Sequence, residues 1–324
     1  MSLPAIDSVL LLAHGGPEKL EDIPAFLSHI RGDHARRDQA RRDRPLSDSF
    51  VAEVVERYRL IGGASPLRKT TESLAQKLRA AIALPVYVGM RHWHPFIKDT
   101  FREIDAAGHA SVLCICLAPH YSTLSILAYQ DAVLRAKMEL GSAMQVTFVD
   151  QWGAHPEYIA FCADEIARCM EGNDTQVLLT AHSLPKRILD LHDPYVDQLN
   201  ATRALISNRL RLEKEPLLVF QSASPSPDPW LSPNLDETLE RLAAKSLKNI
   251  AISPIGFVAE NVEILYDLDI VAKEKANSLG MSFARTRMLN DSDRMVAIMQ
   301  NLVEQSQKET RDDHPAPIVE RLLA

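Results

Sequence analysis

The sequence predicts an α/β protein built as two doubly wound domains with parallel sheets. Three observations predict it. Short apolar runs alternate from end to end with segments whose apolar residues recur at spacings of three and four. That alternation is the pattern of parallel strands covered on both faces by helices. The runs also fall into two sets, and the first run of each ends in the same word. Ala13-His14-Gly15-Gly16-Pro17 and Ala181-His182-Ser183-Leu184-Pro185 both read Ala-His-x-x-Pro. Finally, a chain of 324 residues is long enough for two domains.

The first set of predicted strands is 9–13, 85–89, 111–118 and 145–149. The second is 176–181, 217–221, 249–254 and 281–284. Periodicity alone does not separate a buried strand from a buried helix, so short length and flanking turn residues decide these. Phe161, Glu165, Ile166 and Met170 mark one helix, and Leu235, Leu239 and Leu242 another. A later strand of each set also runs into proline, at Ala118-Pro119 and Ser253-Pro254. The pattern breaks at Trp152, Gly153 and Pro156, which predicts domains 1–150 and 151–324, with a C-terminal helix packing back on the first. Segment 32–48 interleaves Arg36, Arg37, Arg41, Arg42 and Arg44 with Asp33, Asp38 and Asp43, and reads as a solvated helix or loop of paired charges. Segment 222–233, with Pro225, Pro227, Pro229 and Pro233, reads as a loop, and the charged tail 308–317 as a frayed end.

Composition narrows the class. Hydrophobic residues make up 46% and charged residues 24%, enough apolar surface to exclude a disordered chain. A net charge of −7 argues against a nucleic-acid partner and leaves small molecules and cations. Proline ends the longest apolar run, 112–118, far short of the ~20 apolar residues of a spanning helix, so no transmembrane segment is expected. The first seven residues carry no basic leader and four cysteines make no disulfide framework, which together predict the reducing cytoplasm.

In open α/β sheets ligands bind beyond the carboxyl ends of the strands. That points to His14, to 90–94, to Pro119-His120-Tyr121-Ser122, to His182-Ser183 and to 256–263. If the segment after Gly256 is helical, Glu260, Glu263, Asp267 and Glu274 share one face. This row is either a solvated acidic stripe or one wall of a site. A histidine facing a carboxylate across a cleft would suit a divalent metal such as iron. The nucleotide alternative lacks Gly-x-Gly-x-x-Gly and the phosphate-loop lysine. Cys114 with Cys116, and Cys162 with Cys169, lack zinc or cluster spacing and read as buried thiols.

Longer words make the reading specific. Leu179-Thr180-Ala181-His182-Ser183-Leu184-Pro185 with Asp193-Pro194-Tyr195 resembles the signature region of ferrochelatases. So do Tyr58-Arg59-Leu60-Ile61-Gly62-Gly63-Ala64-Ser65-Pro66-Leu67, Gln221-Ser222, Gly256-Phe257 and Glu263-Ile264-Leu265-Tyr266-Asp267, all in order. Pro119-His120-Tyr121-Ser122-Thr123 and Pro227-Asp228-Pro229-Trp230-Leu231 look most like the coproporphyrin III branch. The resemblance implies two flavodoxin-like (Rossmann-like) domains of the chelatase type with a cleft between them. It implies a lyase of heme biosynthesis that inserts Fe²⁺ into a porphyrin and releases two protons, coproporphyrin III being favoured over protoporphyrin IX.

Carried over residue by residue, it makes His182 and Glu263 the catalytic and metal-site pair. Arg31, Arg57, Tyr58, Ser65 and Tyr129 fall at porphyrin-binding positions, and Glu260 and Asp267 in the acidic row that leads iron in. His14 stands where the branch often has tyrosine, as a ligand to the product iron. Two positions depart from the family: Glu260-Asn261 replaces Asp-His, and Val271 interrupts the acidic row. No cysteine lies beyond Cys169, so no iron–sulfur cluster and no resident cofactor are expected. The expected assembly is a monomer or weak dimer. The rivals are a porphyrin or haem carrier without chemistry, and a cobalt or nickel chelatase on the same fold.

Overall fold

The computed structural model describes residues 5–37, 46–170, 174–212, 214–223 and 228–311. The chain opens with β1 (Ser8–Ala13), followed by α1 (Ile23–Arg37), α2 (Asp48–Leu60) and α3 (Leu67–Ile82). Next come β2 (Val86–Met90), α4 (Ile97–Ala106), β3 (Ser111–Cys116), α5 (Ile126–Leu140) and β4 (Gln145–Val149). The second half runs α6 (Pro156–Cys169), β5 (Thr175–His182), α7 (Tyr195–Leu210), β6 (Leu217–Gln221), α8 (Leu235–Ala244) and β7 (Asn249–Ser253). It ends with α9 (Val262–Leu265), α10 (Lys273–Ser278), β8 (Ser282–Arg285) and α11 (Asp293–Arg311).

The strands form two four-stranded sheets, β2-β1-β3-β4 and β6-β5-β7-β8. Every pairing is parallel. Both sheets therefore follow one order: second strand, first, third, fourth. The doubly wound α/β architecture and the repeated pattern are thus present, each strand lying within a few residues of its predicted run. The first strand of each half is central and buried on both faces, which is why both read as unbroken apolar runs. Leu10 and Leu12 pack with Phe101 and Ile104 on one face of β1, while Leu11 joins a core shared with Leu179 and Ile166 of the second half. A smaller apolar cluster holds Ile23, Phe26, Val54 and Tyr58 against Trp93, with Val262 from the second half packed on it.

The halves are joined by buried polar contacts. Thr202 Oγ1 donates to the Gly153 carbonyl at 3.0 Å and so accepts from His120 Nε2 at 2.8 Å. Burial lowers the His120 pKa to about 3. Asp193 accepts from Ser122 Oγ, Thr123 N and Thr123 Oγ1 at 2.9, 2.7 and 2.6 Å. Helix α11 lies against both α3 and α6, and Asp291 just before it accepts from Lys77 of α3 at 3.0 Å. Among the described residues no helix is long and apolar enough to cross a membrane. The four cysteines are free thiols, and burial pushes Cys162 up to about 12.

Three local expectations change. Asp33, read as part of a solvated charge run, is buried and accepts from Arg91 Nε at 2.8 Å. The pairing joins residues far apart in sequence, so spacing within the run does not reveal it. Arg41, Arg42, Arg44, Asp38 and Asp43 lie outside the described residues, as do Pro225 and Pro227 and the side chains of Arg36 and Arg37. The tail is helical through Arg311, and its remainder lies outside the description. The acidic row is not one α-helical face. One turn of α9 gives way to a wider-wound π segment, Asp267–Ala272, before α10, and Glu260 precedes all three. The three-and-four spacing does not persist through such a winding change.

Gly256 lets β5 and the turn after β7 approach. A Cβ there would lie 2.7 Å from Ala181 Cβ and 2.8 Å from Ala181 Cα, next to His182. Gly256→Ala is therefore expected to cost about 1–3 kcal/mol in urea unfolding through overpacking. An unchanged midpoint would show that the turn relaxes freely.

Candidate functional site

Each half supplies one histidine from the end of its first strand. His14 directly follows β1, and its Nδ1 lies 2.9 Å from the Gly15 carbonyl. His182 is the last residue of β5, and its Nδ1 lies 2.6 Å from the Ser183 carbonyl. A carbonyl only accepts, so in both rings Nδ1–H is the donor and Nε2 keeps its lone pair. The repeated sequence word thus becomes a repeated latch that fixes the same tautomer twice. Tyr195 Oη donates to the His182 carbonyl at 3.1 Å and holds its backbone.

Glu263 arrives on α9, whose first turn is set by Asn261. The Asn261 side chain accepts from Ile264 N at 3.0 Å, an N-cap. Gln221, the last residue of β6, donates from Nε2 to the Glu263 carbonyl at 2.8 Å. Glu263, His14 and His182 lie within electrostatic reach of one another. His14 is exposed at the strand end; the protein packed around it lowers its pKa, while the Glu263 charge pulls it the other way. Asp267, one turn on, is raised by burial and by the Glu263 charge; a hydrogen bond from Ser222 Oγ opposes the rise.

The opposite wall comes from the first half. The Tyr58 and Tyr129 phenols are pushed above their usual value by burial, and the Glu263 charge adds to both. Arg91 stands 5.4 Å from the Tyr129 ring centroid, and the His92 ring lies 4.5 Å from that of His14. Ser65 sits against Gly16: a Cβ at Gly16 would meet Ser65 Oγ at 2.5 Å, so this glycine is what lets the segment before α3 close on the strand end. Arg57 of α2 lies over the Tyr266 ring of the second half, 5.4 Å from its centroid, and pairs with Glu53 at 2.5 Å.

The structure therefore brings His14, His182, Glu263, Asp267, Tyr58 and Tyr129 together, with Ser65 behind them and Arg57 at the rim. Arg31 is half-buried on α1, with no contact to this group shown. Glu260 is held apart, paired with Arg285 at 3.3 Å, while Asp269 takes the same guanidinium at 2.5 Å. Sequence analysis placed Arg91 in the strand-end segment 90–94 and Gln221-Ser222 among the family wording, but gave none of the three a role. Their signal was position, since all three stand at carboxyl ends of strands, where ligands bind. Imidazole and carboxylate are donor types that suit Fe²⁺, but among the described residues no three His, Cys, Asp or Glu side chains are gathered closely enough to hold a metal ion.

A sequence model of the family described as Ferrochelatase matches residues 7–307. A Deinococcus radiodurans protein named ferrochelatase is 37% identical over 314 residues, covering 93% of this chain and 96% of that one. A Bacillus cereus protein named coproporphyrin III ferrochelatase 2 is 34% identical over 316 residues, covering 94% and 95%. Among solved structures, SirB from Bacillus subtilis with Fe³⁺ superimposes with a TM-score of 0.62 at 10% identity, covering 95% of this chain and 98% of that one, a likeness of fold.

Proposed function

We propose that this chain, which belongs to the ferrochelatase family, inserts Fe²⁺ into coproporphyrin III in preference to protoporphyrin IX, with release of two protons. Membership makes it a lyase of heme biosynthesis, with iron and a porphyrin as substrates. The observation that carries the residue assignment is that a latched His182 and the Glu263 carboxylate on α9 both act electrostatically on Asp267 and on His14. Coproporphyrin is favoured by the Pro119–Thr123 wording and by relatives such as the Bacillus cereus protein.

A free-base porphyrin presents two pyrrole N–H groups where the metal must go. His182 Nε2 accepts one proton as a general base. Glu263 supplies a hard oxygen to Fe²⁺ as it sheds water, and an exit for the second proton. Bending the ring toward these groups is driven by binding energy gained elsewhere, at the apolar wall of Tyr58, Tyr129 and Trp93 and at the propionates. Arg31 and Arg57 take the propionate role, since guanidinium matches carboxylate in two-pronged fashion. His14 Nε2, from the other half, is the ligand to the product iron. Iron arrives past Asp267; Glu260 contributes less to that path because Arg285 neutralises it. The enzyme works in the cytoplasm without a resident cofactor or iron–sulfur cluster, its two halves dividing near residue 150.

The test supplies Fe²⁺ anaerobically with either porphyrin and follows the Soret band. Faster metalation of coproporphyrin III is expected. Faster turnover of protoporphyrin IX would move the chain to the other branch. Tight porphyrin binding with no metalation of either would make it a carrier.

A further inference from the structure

We propose that Gln221 and Ser222, at the carboxyl end of β6, are positioning residues that hold the Glu263–Asp267 turn toward His182. The inference rests on the chelatase reading and adds to its site. Gln221 pairs in register with His182 across two parallel strands, so the two side chains stand on the same face of the sheet. Its Nε2 donates to the Glu263 carbonyl at 2.8 Å, where the α-turn yields to the π segment. A winding change of this kind releases a backbone carbonyl from the helical ladder, and here a side-chain amide takes it. Ser222 Oγ completes the grip by donating to the Asp267 carboxylate one turn further on. Two adjacent side chains thus fix both the backbone and a carboxylate of one turn.

Two observations separate this role from ordinary packing. Gln221 is 4% exposed, and among the described residues its buried Oε1 has no hydrogen-bond partner. A buried acceptor left unpaired costs stability; leucine would remove that cost but leave the Glu263 carbonyl without its donor, so the amide is kept for that one contact. Ser222 holds φ at 60°, in the left-handed region that glycine occupies freely and serine does not. Strain of that kind persists where function over-determines it. In both residues the contact to the Glu263 turn accounts for the side chain present.

The test compares Gln221→Leu, Ser222→Gly and Ser222→Thr in the full chain. It reads kcat, KM for porphyrin, thermal midpoint, and affinity for Co²⁺ followed by its visible absorption. Misplacing a reacting group by about an ångström costs up to ~100-fold, so Gln221→Leu is expected to lower kcat roughly 10- to 100-fold. Its porphyrin KM should stay within about twofold, because the apolar wall is untouched. Ser222→Gly should lower kcat roughly tenfold while keeping or raising the thermal midpoint. Ser222→Thr, which keeps the hydroxyl but suits positive φ poorly, should recover most of that rate at a lower midpoint. Rates that instead follow the thermal midpoints across the series would make both residues structural and overturn the proposal. So would wild-type kcat and wild-type Co²⁺ affinity in Gln221→Leu and Ser222→Gly. If Gln221→Leu does not fold, the opposed Ser222 pair decides alone. A wild-type chain that metalates no porphyrin overturns the chelatase reading, and the positioning role is then read from loss of Co²⁺ affinity in the variants.

Discussion

His182→Ala is expected to lower kcat by at least about 100-fold, with porphyrin affinity nearly unchanged, because general-base catalysis typically contributes 10²–10⁴-fold. The Nδ1 latch to the Ser183 carbonyl leaves Nε2 for the proposed roles of base and ligand, and alanine would remove both. The walls proposed to hold the macrocycle, around Tyr58 and Tyr129, lie on the other half of the molecule, so on that reading binding should survive. Glu263→Gln keeps size and hydrogen bonding but loses the charge, and should also act on kcat. If the two residues form one proton-transfer unit, the double variant should lose less than the product of the single losses. Metalation by His182→Ala at the wild-type rate would move the base elsewhere, with His14 the next imidazole on the cleft.

Arg91→Leu carries the largest expected cost in stability. The Arg91 and Asp33 side chains are 7% and 9% exposed, so water screens their attraction poorly. Removing one partner of a buried ion pair typically costs about 3–5 kcal/mol, because the other charge stays buried. The double variant Asp33→Leu with Arg91→Leu should regain much of that loss, since apolar replacements of a buried pair are often tolerated. Urea unfolding of the single and double variants measures both values. A loss below about 1 kcal/mol in Arg91→Leu would place the pair among solvent-screened ones. The guanidinium also stands over the Tyr129 ring, so a surviving fraction of Arg91→Leu should show a raised KM for porphyrin.

What was legible in the sequence follows from which interactions are local. Segments 145–149 and 217–221 were bounded correctly because each is a short β-rich run set between turn residues, even though both are edge strands and β4 is only partly buried. His14 and His182 were picked out because the same five-residue word ends two strands, and the latch behind that word is made to the very next carbonyl. Asp33 with Arg91, and Glu260 with Arg285, were illegible for the opposite reason, since their partners are brought together only by the fold. The acidic row failed differently: its spacing assumed one uniform helix, and the winding changes at Asp267. Gln221 lay in plain view as the end of an apolar run, but nothing local tells that its amide reaches the Glu263 carbonyl.

The packing of α11 bears on the order in which the chain is made. Leu74, Ala75 and Leu78 of α3 share one core with Met295, Ile298, Met299 and Leu302 of α11. The ribosome delivers α3 long before α11. Domains ordinarily settle as they emerge, N-terminal first. Here the part of the α3 stripe that β1 and β2 do not cover stays open until α11 leaves the exit tunnel. The nascent first half therefore spends most of its synthesis with an exposed sticky face, and completion of the second half is what closes it.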